Sequence, residues 1–436
     1  MAASNALYGR LLRSLESIET VDTHEHILVE KDRLSQHVDF FTLGSHYANN
    51  DVISAGLPLP DAATIGGDKA SAAEKWRLFE PWWRFARFTG YGQALRIAIR
   101  DIYGFEEINA ATLAKLNQAI ADRNKPGLYR DVLKTRAKIR FAVNDEYWQP
   151  RPAPVDPTYF VLAQKFDQFL APITPAGLKR LEEQSNMNLG GVADLKRALA
   201  NVFTRALEAG MVTVKSTIAY QRDLKFDEVS TADAQREFER LLRGEETVPA
   251  GFRALENRPY RKLTNHMFHY MLSLADEHRI PVQIHTGLQA GNGNFATNSR
   301  PSDLTNLFFL FPNVKFDIFH IGFPWHGETA VLAKTFQNVY VDFCWMHIVS
   351  PTAARTALHE MLDMVPANKI FGFGGDYRYP ELSYAHLVMA RRNIATVLTE
   401  RVERRTFTEE EAAEIGRWML RDNPARLFSP RTTSSP

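Results

Sequence analysis

Eight short apolar bursts punctuate this chain, at 18–21, 138–143, 159–162, 211–215, 281–285, 314–319, 339–343 and 370–373. They are rich in β-branched and aromatic residues, the length and composition of buried strands. Between them lie longer stretches with apolar residues at helical spacing: 5–19, 175–209, 231–243, 263–279, 329–336, 351–363, 383–401 and 408–420. From 211 onward strand and helix alternate about every 30–50 residues. That rhythm predicts parallel strands joined by helical crossovers. Eight strands make a (β/α)8 TIM-type barrel the economical fold, with a doubly wound sheet as runner-up.

One stretch breaks the rhythm. Residues 27–136 hold no clear strand but two helical patterns, 71–88 and 108–121, and a Gly-Leu-Pro-Leu-Pro loop at 56–60. The stretch is too long for a barrel loop, so it reads as a helical insertion covering the mouth of a site, an independent helical domain being the alternative. The expected organisation is a barrel from 1–26 and 137–428, the insertion 27–136, and a disordered Ser/Thr/Pro tail at 429–436.

Composition narrows the class. Of the 436 residues, 45% are apolar and 24% charged, with formal net charge +1, so no global field favours nucleic acid or an anionic membrane. The lone cysteine, Cys344, excludes an intrachain disulfide and fits a reducing compartment, so the expected location is cytoplasmic. No signal-type apolar core and no run of about 18 apolar residues is present, so no membrane partner is expected. A small-molecule substrate is the expected partner, and a homo-oligomer is left open.

The candidate chemistry sits at strand ends. The run Thr20-Val-Asp-Thr-His-Glu-His26 closes the first burst. On a strand, His24 and His26 point to one face and Glu25 to the other. Lys215 ends the fourth burst, His285 the fifth, His320 the sixth, and Asp376 follows the eighth through Gly374-Gly375. In a parallel barrel all strand C-termini meet at one face. Four imidazoles and a carboxylate there form a site for a divalent ion, Zn most readily, with Mn or Fe compatible. Each histidine alone reads as a satisfied core residue; their recurrence at successive strand ends argues otherwise. His266 and His269 share a helical face but precede the fifth strand at its wrong end.

This pattern resembles the amidohydrolase superfamily. The resemblance implies a distorted TIM barrel, one or two divalent metals and, most often, hydrolysis of amide or ester bonds. It implies His24, His26 and His285 as metal ligands, and His320 as a ligand or a catalytic group. Asp376 would be ligand and general base. The resemblance would make Lys215 a carboxylated bridge between two metals; the residues alone leave two alternatives, a cation holding a substrate carboxylate with Arg222 and a plain structural lysine. Two subgroups look similar: small metal-dependent hydrolases and decarboxylases, and uronate isomerases. The isomerase likeness lies in Leu332–Phe336, Asn338–Asp342 with Trp345, and Asp376-Tyr-Arg378 followed by Ala390-Arg391-Arg392. Gly374-Gly375-Asp376 and Lys215 depart from it. Trp325, Trp345 and His347 are candidates for the pocket wall or for core packing. Arg378 and Glu381 are candidates for a substrate acid contact or a plain ion pair. The expected function is metal-dependent hydrolysis of a C–N or C–O bond in a small carboxylated or aromatic substrate. The alternative is a uronate isomerase-type isomerisation or a decarboxylation at the same metal.

Overall fold

The computed structural model describes residues 2–145, 155–171, 174–245 and 260–430; most of the expected tail, 431–436, lies outside them. Eight parallel strands follow one another in sequence order around a barrel: β1 Thr20–Glu25, β2 Ile139–Asn144, β3 Phe160–Lys165, β4 Met211–Ser216, β5 Val282–Ile284, β6 Phe316–Ile318, β7 Val339–Asp342 and β8 Ile370–Phe371. This is the (β/α)8 barrel, and the sequential order removes the doubly wound alternative. The strands are buried almost throughout, as parallel strands between core and helices must be. The barrel closes without a ladder between β8 and β1. Instead, single backbone bonds span the gap: Thr23 N–H to Phe373 O (3.1 Å), Asp376 N–H to His24 O (2.8 Å) and His26 N–H to Tyr377 O (2.9 Å). The histidine strand and the acid loop are therefore one hydrogen-bonded unit.

Two strands depart from expectation in ways that bear on the site. The first strand runs 20–25 rather than 18–21, so His24 lies within it. The third runs to Lys165 rather than stopping at Leu162; its polar end, Gln164-Lys165, hid it from an apolar criterion.

The stretch 27–136 is helical, with more helices than its periodicity revealed. They include Phe40–Gly44, Ala48–Ser54, Leu59–Gly66, Ala72–Ala86, Gly90–Tyr103 and Leu113–Arg123. The expected loop at 56–60 gives way to helix from Leu59, with Pro60 in the first turn where its missing N–H costs nothing. Several of these helices are shorter than two turns, too short to display a period. A buried ion pair fastens this region to the barrel: Arg33 Nη2 lies 3.1 Å from Glu381 Oε1, which also accepts from Tyr103 Oη at 2.8 Å. Glu381 is thus the plain ion pair of its two expected roles. No helix of the described residues is long and apolar enough to cross a membrane.

The 24-residue helix Pro380–Glu403 packs behind the acid loop, and its His386 donates from Nδ1 to Gly375 O at 3.0 Å. Burial pushes His386 down to about 3, so it stays neutral in the folded chain. The unfolded chain protonates it below about pH 6.5. Stability from this ring is therefore intact above pH 6.5 and is lost as pH falls toward the folded value. Relative to His386→Gln, the wild type is expected to lose about 1.4 kcal/mol per pH unit between pH 6 and 4, read by denaturant melts; parallel pH curves for the two proteins would contradict this.

Candidate metal centre

His24 and His26, on one face of β1, bring their Nε2 atoms within 3.3 Å of each other. Asp376 Oδ1 lies 3.1 Å from His26 Nε2 and 3.6 Å from His24 Nε2. Asp376 Oδ2 lies 3.8 Å from His320 Nε2, which is 3.0 Å from His285 Nδ1. Donors bound at about 2.1 Å to one tetrahedral ion stand roughly 3.4 Å apart, which is the spacing of the His24, His26 and Asp376 trio. His285 joins the group through His320 rather than through the trio.

The tautomers make the case chemically. A carbonyl only accepts, so each ring nitrogen beside one must carry the proton. His26 Nδ1 donates to Asp145 O (2.8 Å), His320 Nδ1 to Cys344 O (2.8 Å) and His285 Nε2 to Leu288 O (2.9 Å). In the neutral rings of His320 and His285 this leaves lone pairs on Nε2 and Nδ1, 3.0 Å apart, with the Asp376 carboxylate alongside. Such a set is repulsive unless a cation joins it, and the residues fit a divalent ion with N and O ligands. Electrostatics agrees. Burial, then the Lys215 charge, hold His24 well below its ordinary value, and burial brings His320 down to about 4. Burial alone would raise Asp376, but the His26 hydrogen bond and the facing imidazoles outweigh it and hold it well below the usual carboxylate range. His24 and His320 held neutral and Asp376 held ionised are in the states in which such groups bind metal. Cys344 also comes near His320 and Asp376, but burial pushes its thiol well up, and a thiol that keeps its proton is a poor ligand.

The acid loop is held in a costly shape. His320, Trp345 and Asp376 have φ of +60°, +65° and +57°, left-handed values that cost roughly 1–3 kcal/mol each for non-glycine residues. Around Asp376, neighbours hold the backbone in place. Asp22 Oδ1 accepts from Gly375 N (3.0 Å), Glu25 Oε2 from Tyr377 N (2.7 Å), and Tyr47 Oη donates to Asp376 O (2.7 Å). Glu25, on the strand face opposite the histidines, is therefore the group that positions the residue after Asp376.

A cavity of about 210 Å³ opens beside the cluster. Its inner wall is His24, His26, Lys165, Lys215, His285 and Asp376; Tyr47, Thr217, Tyr220, Gln221 and Ala290 complete it. Lys215 Nζ stands 3.2 Å from the centroid of the Phe319 ring, and burial brings it down to about 8. Several expected pocket residues are not among those lining this cavity. Arg222 is buried elsewhere: it donates to Asn265 Oδ1 (2.6 Å) and Lys225 O (2.5 Å) and stacks on Phe226 at 4.6 Å. Its fork is engaged there rather than at the cavity wall. Trp325 stands half-buried before the helix His326–Thr335. Trp345 forms the wall behind the histidines, its ring 5.0 Å from that of His320 and stacked 4.9 Å from Tyr47. His347 is core, donating to Gly372 O at 3.0 Å. Arg378 is half-buried and is not among the residues lining the cavity; burial brings His46 down to about 3, with the Arg378 charge a smaller cause.

Six wall residues escaped the sequence reading: Tyr47, Lys165, Thr217, Tyr220, Gln221 and Ala290. Tyr47 comes from a helix start in the insertion, where no strand-end rule applies. Lys165 would have been found had the third strand been extended by its alternation. Beside it, Asp145 Oδ2 lies 2.6 Å from Lys165 Nζ and 3.9 Å from His26 Nδ1, all buried. Asp145→Ala strands a buried ammonium and is expected to destabilise the chain by about 3–5 kcal/mol. Adding Lys165→Met should restore most of that loss in denaturant melts, because the charge left alone is then gone; a double variant no more stable than the single would refute the pairing.

Comparison with known proteins gives the following. The family model described as Amidohydrolase matches residues 200–429, more than half of the chain. A curated relative, Protein fluG of Emericella nidulans, is 25% identical over 227 residues, 51% of this chain and 26% of that protein; the chain spans about a quarter of its length. The uronate isomerase of Thermotoga maritima superposes with TM-score 0.80 at 16% identity, covering 97% of both chains. The glucuronate isomerase of Caulobacter crescentus gives 0.78 at 17%, covering 100% of this chain and 96% of its own. At such identities the likeness is one of fold.

Proposed function

The chain belongs to the amidohydrolase family, and from that premise we propose that it hydrolyses a C–N or C–O bond in a small substrate with a divalent metal, Zn first among the candidates. The observation that carries this reading is the convergence of His26 Nε2, His24 Nε2 and Asp376 Oδ1 within 3.1–3.6 Å. His24, His26 and Asp376 would hold the ion, with His320 and His285 beside them for a further ligand bond or a second ion. When bound, a divalent ion supplies Lewis acidity and lowers the pKa of water toward neutrality. Asp376, ionised at neutral pH, is the group placed to accept a proton from the attacking water and return it to the leaving atom. His320 Nε2, with its proton locked on Nδ1, is a lone-pair donor rather than an acid. The buried wall excludes bulk water and strengthens each of these contacts.

Isomerisation is the second reading, favoured by fold likeness that extends over the whole chain, insertion included. Turnover in ¹⁸O-water separates the two. Hydrolysis places one labelled oxygen in a cleaved product; a product of unchanged formula refutes hydrolysis and supports isomerisation.

A further inference from the structure

Lys165 and Lys215 are register partners on adjacent parallel strands, and both line the cavity. Both are buried, at 5% and 2% exposure. Two ammonium groups side by side in a closed wall repel each other and lose hydration, so each needs a counter-charge. Lys165 has one in Asp145, at 2.6 Å. Among the described residues no carboxylate lies within ion-pair distance of Lys215 Nζ; its close neighbour is the Phe319 ring. Deeper in the barrel, Asp317 and Asp342 are pushed up by burial, Asp342 to about 7, which weakens them as counter-ions. Asp376 is committed to the histidines. The Lys165, Asp145 and Lys215 group thus carries one net positive charge facing a cavity.

We infer that this lysine pair is the seat for the substrate's carboxylate, with Lys215 supplying the ion pair and Lys165, steered by Asp145, a second donor. A net charge of +1 matches a carboxylate monoanion rather than a phosphate dianion. Across the cavity Tyr220 stands over His285, ring centroids 4.7 Å apart, with its Oη accepting from Ala290 N at 2.8 Å. That leaves an aromatic face for the body of a small acid. The seat rests on the proposed reading only in using the same cavity.

The test is calorimetric titration of the metal-loaded full chain with acetate, succinate and benzoate, each against its neutral amide, and with inorganic phosphate. At least one carboxylate should bind about 10- to 100-fold tighter than its amide, as a charged hydrogen bond predicts. Lys215→Met should erase that preference, Lys165→Met weaken it and Lys215→Arg retain part of it. Lys215→Met removes an ammonium that has no carboxylate at ion-pair distance among the described residues and should not unfold the chain, whereas Lys165→Met strands Asp145 and is therefore read in the Asp145→Ala/Lys165→Met double variant; unchanged metal content checks both. Four results overturn the inference: equal binding of acid and amide across the panel; phosphate binding tighter than every carboxylate; a preference that survives Lys215→Met, which would put the anion on the metal; or a ¹³C-carbamate signal on Lys215 after incubation with labelled bicarbonate. If carboxylates bind through Lys215 but no ¹⁸O is incorporated, the seat stands and hydrolysis falls.

Discussion

Asp376→Asn is expected to lower turnover by about 10²–10⁴-fold, the range for loss of a positioned proton-transfer group, and to lower metal content. The amide keeps the size of the carboxylate and its bond to Tyr47 through the backbone. It loses the negative charge that offsets the cation and the basicity that takes the proton. Elemental analysis separates the two losses: full occupancy with low turnover assigns Asp376 to proton transfer, whereas low occupancy assigns it to binding as well. His24→Ala combined with His26→Ala should abolish occupancy outright, because the trio then keeps one ligand of three. A doubly substituted chain that still copurifies with stoichiometric metal sinks the site described here.

Gly375→Ala should damage the site through a single methyl. A Cβ at this position falls on Glu25 Oε1, well inside van der Waals contact, and at Gly374 it would lie 2.7 Å from Cys344 Sγ. Glu25 cannot withdraw, since its other oxygen accepts from Tyr377 N at 2.7 Å. The substitution must therefore move the loop that carries Asp376. We expect a cost at the upper end of the roughly 1–3 kcal/mol typical of overpacking, with metal affinity falling alongside. Thermal melts and metal titration read the two effects; a melting temperature and metal affinity both equal to wild type would show that the loop has room that its contacts deny it.

The sequence was most legible where one local rule was enough. A buried parallel strand is a short apolar burst, so most of the eight strands could be placed to within a few residues. A side chain at the end of such a strand faces the barrel mouth, so His24, His26, Lys215, His285, His320 and Asp376 could be named together. The rule failed at Lys165, because polar residues ended β3 and masked its length. It failed again at Arg222, which has the right charge and follows the right strand. Its guanidinium bonds to Asn265 and Lys225 instead, partners that no local pattern announces. The insertion was read as helical, yet its short helices carry too few residues to show a period, and Tyr47 went unseen among them.

The order of hydrophobic and polar residues by itself determined the alternation of strand and helix, hence the barrel, and the set of side chains delivered to its mouth. Periodicity specifies which face a residue takes relative to its own neighbours. It is silent about what stands opposite, since that depends on contacts between segments hundreds of residues apart. Only the tertiary structure decided which nitrogen of His285 and of His320 stays bare, that Asp145 neutralises one lysine and leaves the other facing the cavity, and that β1 carboxylates hold the left-handed Asp376 loop. Those three outcomes turn a row of suitable residues into a site with a charge and a shape.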